Sequence, residues 1–373
     1  MLERLERTLA ELAGNEGLRK LAVCHHSGKY IRMDGSEEWM VNFSSNDYLG
    51  IASNSEFKST EALGSGSSRL LAGNFQAHNN FEKTLEKIYN RPALGFSSGY
   101  LMNSGVLPAL TSKESLVIAD KQVHASLIDS LRLCQCPTLR FRHNDLEHLE
   151  QLIVKNLDGA SEIFVMVESL YSMDGDLCDL RKLVALKKKY RKLVLYVDEA
   201  HAVGVFGENG RGLAEVYGVE NEVDIHCFTC GKALGSSGAF VICDELVKQY
   251  LVNKCRTLIF NTSLPPIALE WSTEVIKRIA EMNTSRTKLL QMAEYLRSKV
   301  AEKGYTMPSQ SHIIPIITGD NASAVALAKR LQKAGAFVLP IRTPTVAKGS
   351  ERVRISLTTM IEMTDIEKIV NAI

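Results

Sequence analysis

Three polar segments in the middle of the 373-residue chain follow short apolar runs, and their residue types could do chemistry together. Asp198-Glu199-Ala200-His201 follows the apolar run 193–197, and Thr229-Cys230-Gly231-Lys232 stands at the end of another strand-like stretch. The third segment, Glu168 to Gly175, follows the run 163–167. A lysine amine can form a Schiff base with an aldehyde, and a buried carboxylate can keep a ring nitrogen protonated. These residue types are typical of enzymes that use pyridoxal 5'-phosphate.

A phosphate group needs turn amides and hydroxyls, which a helix N-terminus supplies best. The segment 97–100, Ser-Ser-Gly-Tyr, lies just before a predicted helix, and Thr229 could add a hydroxyl. Taken singly, these residues have plainer interpretations: Asp198 as a helix cap, His124 as an ordinary core or surface histidine, and the tract 64–68 as a flexible loop. Their joint occurrence in this order favours pyridoxal phosphate over a metal or a nucleotide.

These segments need a sheet that brings them to one edge. The short apolar runs 116–119, 163–167, 193–197 and 238–242 alternate with helical patterns, which predicts an α/β fold with a mostly parallel central sheet. One helix is predicted to begin with Asn144 as its N-cap, and another to run from Asp179 towards Lys189. Parallel sheets bind ligands at the carboxyl ends of their strands, so the three segments should converge there.

A boundary is predicted near the segment 261–266, Asn-Thr-Ser-Leu-Pro-Pro. Long helical patterns follow over 267–302, then a strand-like run at 313–317, a helix around 323–333 and a strand at 353–356. We therefore predict an N-terminal helical segment over residues 1–40, a large cofactor-binding domain over 41–265, and a small C-terminal α+β domain over 266–373.

The composition indicates a soluble globular protein, with 45% hydrophobic and 23% charged residues and a formal net charge of +1. Such a balance predicts no nucleic-acid partner, and no apolar run approaches the ~20 residues that span a membrane. The amphipathic N-terminus predicts a surface helix and not a signal peptide, which favours the cytoplasm. Cys227 and Cys230 lack the second pair that a zinc site requires, so we predict reduced thiols and no metal.

Over nearly its whole length the sequence resembles the α-oxoamine synthases, a branch of the fold-type I pyridoxal-phosphate transferases. Six motifs carry this resemblance: Asn42 to Gly50 (NFSSNDYLG), Ser98-Gly99-Tyr100, His124-Ala125-Ser126, Tyr171 to Asp176 (YSMDGD), Asp198 to His201 (DEAH), and Thr229 to Lys232 (TCGK).

The resemblance implies a role for each cofactor-site residue. Lys232 would hold the cofactor as a Schiff base and then remove the substrate's Cα proton. Asp198 would pair with the ring nitrogen, His201 would bond the ring hydroxyl, and His124 would stack on the ring. The remaining cofactor contacts would come from Gly99, Tyr100, Ser172 and Thr229.

Within the family, the tract 341–346 (IRTPTV) resembles the I-R-P-P-T-V element of the biotin-pathway members, which join L-alanine to a pimeloyl thioester. In those enzymes the arginine and threonine line the acyl site, which implies that Arg342 and Thr345 do so here. The short connection 235–238 after the lysine also favours these members. Arg354 would bind the amino-acid carboxylate. Asn46 and Arg19 would complete the substrate side. Thr343 replaces the usual proline, and Ile361 stands where many relatives have histidine.

Several alternatives stay open at this point. Sister enzymes use glycine with acetyl-CoA, and other members make 5-aminolevulinate or sphingoid bases. The thioester carrier could be coenzyme A or acyl-carrier protein. The family places its site at a homodimer interface, where the turn 261–263 would reach the partner subunit's phosphate. A non-catalytic relative is disfavoured because Lys232 is present, and a nicotinamide-dependent oxidoreductase because no G-x-G-x-x-G follows a first strand.

Overall fold

The computed structural model describes residues 1–14, 17–19, 21–52 and 56–373. The chain consists of two compact units. The larger unit comprises Ile51–Ser172 and Leu177–Arg286, and the smaller one comprises Met1–Gly50, Met173–Asp176 and Thr287–Ile373. This grouping differs from the three consecutive segments predicted above. The N-terminal residues join the C-terminal ones because a strand at 40–42 pairs in parallel with a strand at 336–337.

The strands, in chain order, are β1 (Cys24–Ser27), β2 (Tyr30–Met33), β3 (Met40–Asn42), β4 (Ala93–Phe96), β5 (Leu116–Asp120), β6 (Thr138–Phe141), β7 (Ile163–Glu168), β8 (Leu193–Asp198), β9 (Ile225–Thr229), β10 (Ala239–Ile242), β11 (Ile313–Ile317), β12 (Ala336–Phe337), β13 (Pro340–Ile341) and β14 (Arg352–Ser356). The helices are α1 (Leu2–Gly14), α2 (Gln76–Tyr89), α3 (Gly99–Leu110), α4 (Ala125–Leu133), α5 (Leu146–Asn156), α6 (Leu180–Lys189), α7 (Leu213–Tyr217), α8 (Glu245–Lys254), α9 (Arg256–Ile259), α10 (Pro266–Arg278), α11 (Asn283–Glu302), α12 (Asn321–Lys333) and α13 (Met363–Ala372).

The larger unit is built on a seven-stranded sheet in the order β4-β10-β9-β8-β7-β5-β6. Its strands are parallel except β10, which pairs antiparallel with both β4 and β9. Every residue of β4, β5, β7 and β10 is buried, as expected of apolar strands with both faces covered. The predicted α/β fold class with a mostly parallel central sheet is therefore confirmed. The run 238–242 forms the one strand of this sheet that runs in reverse.

The ends of β7, β8 and β9 meet at one edge of this sheet. In the pairing register Glu168 lies opposite Asp198, and Asp198 lies opposite Cys227. The segments that follow these strands therefore start side by side. This is the convergence that the sequence predicts.

Two predicted helix starts have different outcomes. Asp179 caps α6, and its side chain accepts the backbone N–H of Lys182. The Asn144 cap is wrong by one residue, because Asp145 caps α5 and accepts from the His148 N–H. Asn144 itself has a left-handed backbone (φ 52°), and its N–H bonds the buried Asp120 carboxylate at 2.8 Å.

The smaller unit contains two sheets, in the orders β1-β2-β3-β12 and β11-β14-β13. The strands predicted at 313–317 and 353–356 are β11 and β14, and the predicted helix around 323–333 is α12. Along α1 no residue is buried, in agreement with the predicted surface helix. Among the described residues, no helix is long and apolar enough to cross a membrane.

Candidate active site

A cavity of about 150 Å³ opens in the larger unit, at the edge where β7, β8 and β9 end. Most of the predicted cofactor residues line it: Gly99, Tyr100, His124, Asp198, His201, Thr229 and Lys232. Ser172 is buried but does not line the cavity. The predicted residues that line the cavity come from four separate parts of the sequence.

Lys232 lies in the connection between β9 and the reversed strand β10. The backbone of this connection is closed on itself, since Cys230 N–H bonds Gly238 O and Ser236 N–H bonds Cys230 O, both at 2.9 Å. Gly235 has φ 55°, and a Cβ there would lie 2.6 Å from the Ala52 nitrogen, so this turn requires glycine. The tight turn places the Lys232 amine 2.8 Å from Nε2 of His201.

Asp198 is the last residue of β8 and is buried. Its Oδ2 accepts a hydrogen bond from Asn103 Nδ2 at 2.8 Å, and its Oδ1 accepts from the Ala200 N–H at 2.9 Å. Both oxygens therefore have donors, which a buried carboxylate needs if it is to keep its charge.

His124 caps α4, and its Nδ1 accepts the backbone N–H of Ser126 at 3.2 Å. A backbone N–H can only donate, so Nδ1 must be an acceptor, and the neutral ring carries its proton on Nε2. Burial lowers the pKa of His124, and the charge of Lys232 lowers it further. The ring is therefore neutral under ordinary conditions.

Glu168 ends β7 beside Asp198 and also lines the cavity. Burial raises the pKa of Glu168 to about 8, with the Asp198 charge as the next cause. Its carboxyl accepts the backbone N–H of His124. At neutral pH this carboxyl is therefore mostly protonated and adds little negative charge beside Asp198.

The N-terminus of α3 supplies the features that an anion needs. Ser98 caps the helix by accepting the Leu101 N–H at 3.2 Å, and the first helical residue is Gly99. A Cβ on Gly99 would lie 3.5 Å from Thr229 Oγ1, so the helix start packs close to the end of β9. First-turn amides and the helix dipole favour a phosphate at such a place.

The predicted substrate residues form two clusters in the smaller unit. In one, the Arg354 guanidinium donates to Ser356 Oγ at 2.7 Å and contacts Asn46 Oδ1 at 3.4 Å. In the other, Arg19 donates to the Thr345 hydroxyl, whose backbone N–H bonds the Arg342 carbonyl at 2.9 Å. Each cluster unites residues that are far apart in sequence.

The cavity also contains Asn103, Ser126 and Glu168, none of which the sequence analysis assigned to the site. For two of them the sequence contains a pattern that could have indicated their position in the site. Asn103 follows Gly99 by four residues, which places both on one face of a helix. Ser126 belongs to the same His-Ala-Ser motif as His124. Glu168 begins the third polar segment that the sequence predicts at this edge, but its position beside Asp198 depends on strand register, which the sequence does not specify.

This set of groups fits pyridoxal phosphate. The cofactor requires an amine for its aldehyde, a carboxylate for its ring nitrogen and an anion site for its phosphate. Lys232, Asp198 and the start of α3 provide these three around one cavity. The eight cysteines are all free thiols, and Cys227 and Cys230 are buried.

Comparison with known proteins agrees with this chemistry. The model of the family "Aminotransferase class I and II" matches residues 38–373. The chain is 45% identical to a protein of Pasteurella multocida named "Putative 8-amino-7-oxononanoate synthase", over 99% of this chain and 98% of that one.

Solved structures give the same relationship. A serine palmitoyltransferase of S. paucimobilis with bound PLP superposes with a TM-score of 0.89 at 27% identity, covering 99% of this chain and 95% of that one. An 8-amino-7-oxononanoate synthase of Francisella tularensis superposes with a TM-score of 0.76 at 29% identity, covering 89% and 96%. The predicted family, the fold class and the cofactor are thereby confirmed. The chain is a pyridoxal-phosphate-dependent, acyl-transferring enzyme that belongs to the aminotransferase class I and II family, in its branch of α-oxoamine synthases.

Proposed function

We propose that this enzyme condenses L-alanine with a pimeloyl thioester and releases carbon dioxide and the free thiol of the carrier, which gives 8-amino-7-oxononanoate for biotin synthesis. The observation that carries the chemistry is the single cavity lined by Lys232, Asp198, His201 and His124. The substrates rest on the names of the relatives and on the tract 341–346.

Each of the cavity residues would contact a different part of the cofactor. Lys232 would bind its aldehyde carbon, Asp198 its ring nitrogen, and His201 its ring hydroxyl, while His124 would cover one face of the ring. The phosphate would take its donors from Gly99, Tyr100 and Thr229, and Ser172 would lie beside the ring. When bound, the cofactor serves as an electron sink for the carbanion formed at the amino-acid Cα.

Lys232 has the second task of moving a proton. With the amino acid bound, its Nζ would take the Cα proton of alanine as a general base. His201 Nε2, 2.8 Å away, can hold the amine in place by a hydrogen bond during this step. Neutral His124 adds no positive charge that would compete with the protonation of Lys232.

The substrate side would use the two clusters of the smaller unit. The planar guanidinium of Arg354 suits a carboxylate, which it can bind with two parallel hydrogen bonds. Asn46, which already contacts Arg354, would help to orient the amino acid. Arg342, Thr345 and Arg19 would bind the acyl substrate, whose thiol carrier is either coenzyme A or acyl-carrier protein.

A homodimer forms part of this proposal. The family places its site at a subunit interface, with the turn 261–263 directed to the partner. In this chain the Asn261 amide donates to Ser97 Oγ at 2.7 Å, beside the proposed phosphate site. A cytoplasmic location stays a prediction.

A substrate panel tests the proposal. Purified enzyme loaded with PLP would receive L-alanine with pimeloyl-CoA, L-alanine with pimeloyl-acyl-carrier protein, glycine with acetyl-CoA, and L-serine with palmitoyl-CoA. Release of free thiol measures turnover, and mass spectrometry identifies the amino ketone. Lys232→Ala serves as the blank for thioester hydrolysis.

We expect alanine with one of the pimeloyl thioesters to give the highest kcat/KM. The same result decides between coenzyme A and acyl-carrier protein. Higher turnover with glycine and acetyl-CoA would instead assign the enzyme to the sister activity and refute the proposed substrates.

A further inference from the structure

We propose that Asn103 is a positioning residue that fixes the Asp198 carboxylate for the cofactor's ring nitrogen and links it to His124. The inference rests on the proposed cofactor roles and extends them to a residue outside the family motifs quoted above. It depends on three hydrogen bonds of one buried amide group and on the contact of Ser126 with His124.

Asn103 lies on α3 and is buried, with 2% of its surface exposed. Its Nδ2 lies 2.8 Å from Asp198 Oδ2 and 3.0 Å from Ser126 Oγ. Its Oδ1 accepts the hydroxyl proton of Tyr196 at 2.8 Å. Both amide protons and the amide oxygen are thus engaged by different partners.

The orientation of this amide has one consistent solution. A carboxylate only accepts hydrogen bonds, so the NH2 group must face Asp198. The reversed orientation would place Oδ1 against Asp198 Oδ2 and leave two acceptors in contact. The hydroxyl of buried Tyr196 supports the observed orientation by donating to Oδ1.

The same logic extends to His124. Ser126 Oγ accepts a hydrogen bond from Asn103 Nδ2, so its own hydroxyl can donate to His124 Nδ1, 2.9 Å away. The Ser126 N–H also donates to this nitrogen. Hydrogen bonds therefore lead from Asn103 to both proposed cofactor contacts. One is donated directly to Asp198, the proposed partner of the ring nitrogen, and the other reaches His124, the proposed partner of the ring face, through Ser126.

The position of Asn103 along α3 is suited to this role. It follows Gly99 by four residues, or about 6 Å along the helix axis, on the same face. One helix therefore carries both the start of the proposed phosphate site and the residue that holds Asp198. A packing role alone would not require a buried amide, since an apolar side chain of similar size would fill this space without needing partners.

The test compares two cofactors. PLP and 1-deaza-PLP, in which a C–H replaces the ring nitrogen, differ only at the atom that Asp198 would contact. Full-length enzyme freed of cofactor would be titrated with each, and quenching of protein fluorescence would give two dissociation constants. The dissociation constant of 1-deaza-PLP divided by that of PLP reports the interaction with the ring nitrogen, independently of turnover. A weaker interaction lowers this ratio.

Asn103→Leu keeps the approximate volume and removes all hydrogen bonds. We expect it to weaken PLP binding by about ten- to a hundredfold, the usual effect of losing a hydrogen bond to a charged group. Binding of 1-deaza-PLP should change by less than about threefold, since general packing is kept. Tyr196→Phe should lower the same ratio, but by less than Asn103→Leu does.

Ser130→Ala is the matched control, because Ser130 is a buried serine on α4 whose hydroxyl donates to the Leu127 carbonyl in its own helix. It should leave the ratio unchanged. Equal weakening of both cofactors in Asn103→Leu would show a purely structural role and overturn the inference. If that variant does not fold, the ratio in Tyr196→Phe decides. Failure of the unaltered enzyme to bind PLP would instead refute the proposed function.

Discussion

The amine of Lys232 and Nε2 of His201 lie 2.8 Å apart, although the two residues follow different strands. Strands β8 and β9 are neighbours in the sheet and run parallel, so the segments after them leave the same edge. The pair therefore results from strand order and needs no long-range loop.

Replacing Lys232 with alanine should abolish turnover and the visible absorbance of bound cofactor. The amine is the only proposed covalent attachment, and the proposed general base is the same atom. Reduction of the holoenzyme with borohydride, followed by peptide mass spectrometry, should locate the cofactor on Lys232. Lys248→Ala is the control, because Lys248 pairs with Glu86 at 2.7 Å in a different part of the larger unit. A cofactor label on any other lysine would contradict the assignment.

Arg354→Lys should raise the KM for alanine by roughly ten- to a hundredfold, while the affinity for PLP stays the same. Lysine keeps the charge but loses the planar pair of donors that fits a carboxylate. Steady-state kinetics with alanine as the varied substrate would measure the change. Arg330→Lys, on the exposed side of α12, should leave both constants unaltered. An unchanged KM in Arg354→Lys would remove this residue from the substrate site.

Glu168→Gln should make the free energy of unfolding of the cofactor-free chain less dependent on pH. The pKa of Glu168 is raised from 4.5 to about 8, chiefly by burial. Between these values the folded chain holds a proton that the unfolded chain releases, so stability falls as pH rises through this window. Glutamine does not ionise, so the variant should keep on the order of 1 kcal/mol or more of the unfolding free energy that the wild-type chain loses between pH 5 and pH 8.

Urea unfolding at several pH values between 5 and 8 would measure this slope. Glu147→Gln, at an exposed position on α5, provides a control with the same chemical change. Parallel slopes for the wild-type chain and Glu168→Gln would contradict a protonated Glu168.

Gly105→Ala should destabilise the fold by about 1–3 kcal/mol. A Cβ at this position in α3 would lie 1.9 Å from Thr257 Oγ1 and 2.8 Å from Cys255 Sγ, so the segment 255–257 would have to move. Gly159→Ala is the matched control, because its nearest neighbour would be the Asn156 carbonyl at 3.8 Å. Denaturant unfolding should show a loss for Gly105→Ala and a change within about 0.5 kcal/mol for Gly159→Ala. Equal stability of the two variants would contradict the close contact at α3.

The strand ends that form the site could be predicted because buried parallel strands are continuous apolar runs. The polar residues after Val167 and Val197 therefore stand out directly in the sequence. Asn103 does not stand out, since a lone asparagine in a helix has no distinctive pattern. Only the packing of α3 on the sheet places Asn103 at the cavity, and the register of β7 against β8 sets Glu168 beside Asp198.

Other differences arise from weak local signals. Asn144 and Asp145 are both good N-caps, and the left-handed backbone of Asn144 decides between them. Strands β3 and β12 have three and two residues, too few for a periodic pattern. Their pairing, which joins the N-terminal residues to the C-terminal ones, depends on contacts distant in sequence.

The closed connection that carries Lys232 has a consequence for the speed of its proposed tasks. Its backbone is held at both ends by paired strands and by its own hydrogen bonds, and its turns at Gly235 and Gly238 admit no other residue without strain. The amine would therefore reach the alanine Cα by rotation about the bonds of its own side chain. Such rotations take picoseconds to nanoseconds, whereas loop opening takes far longer. This movement of the amine would then not limit turnover, and a slow step must be sought in the making and breaking of bonds or in product departure.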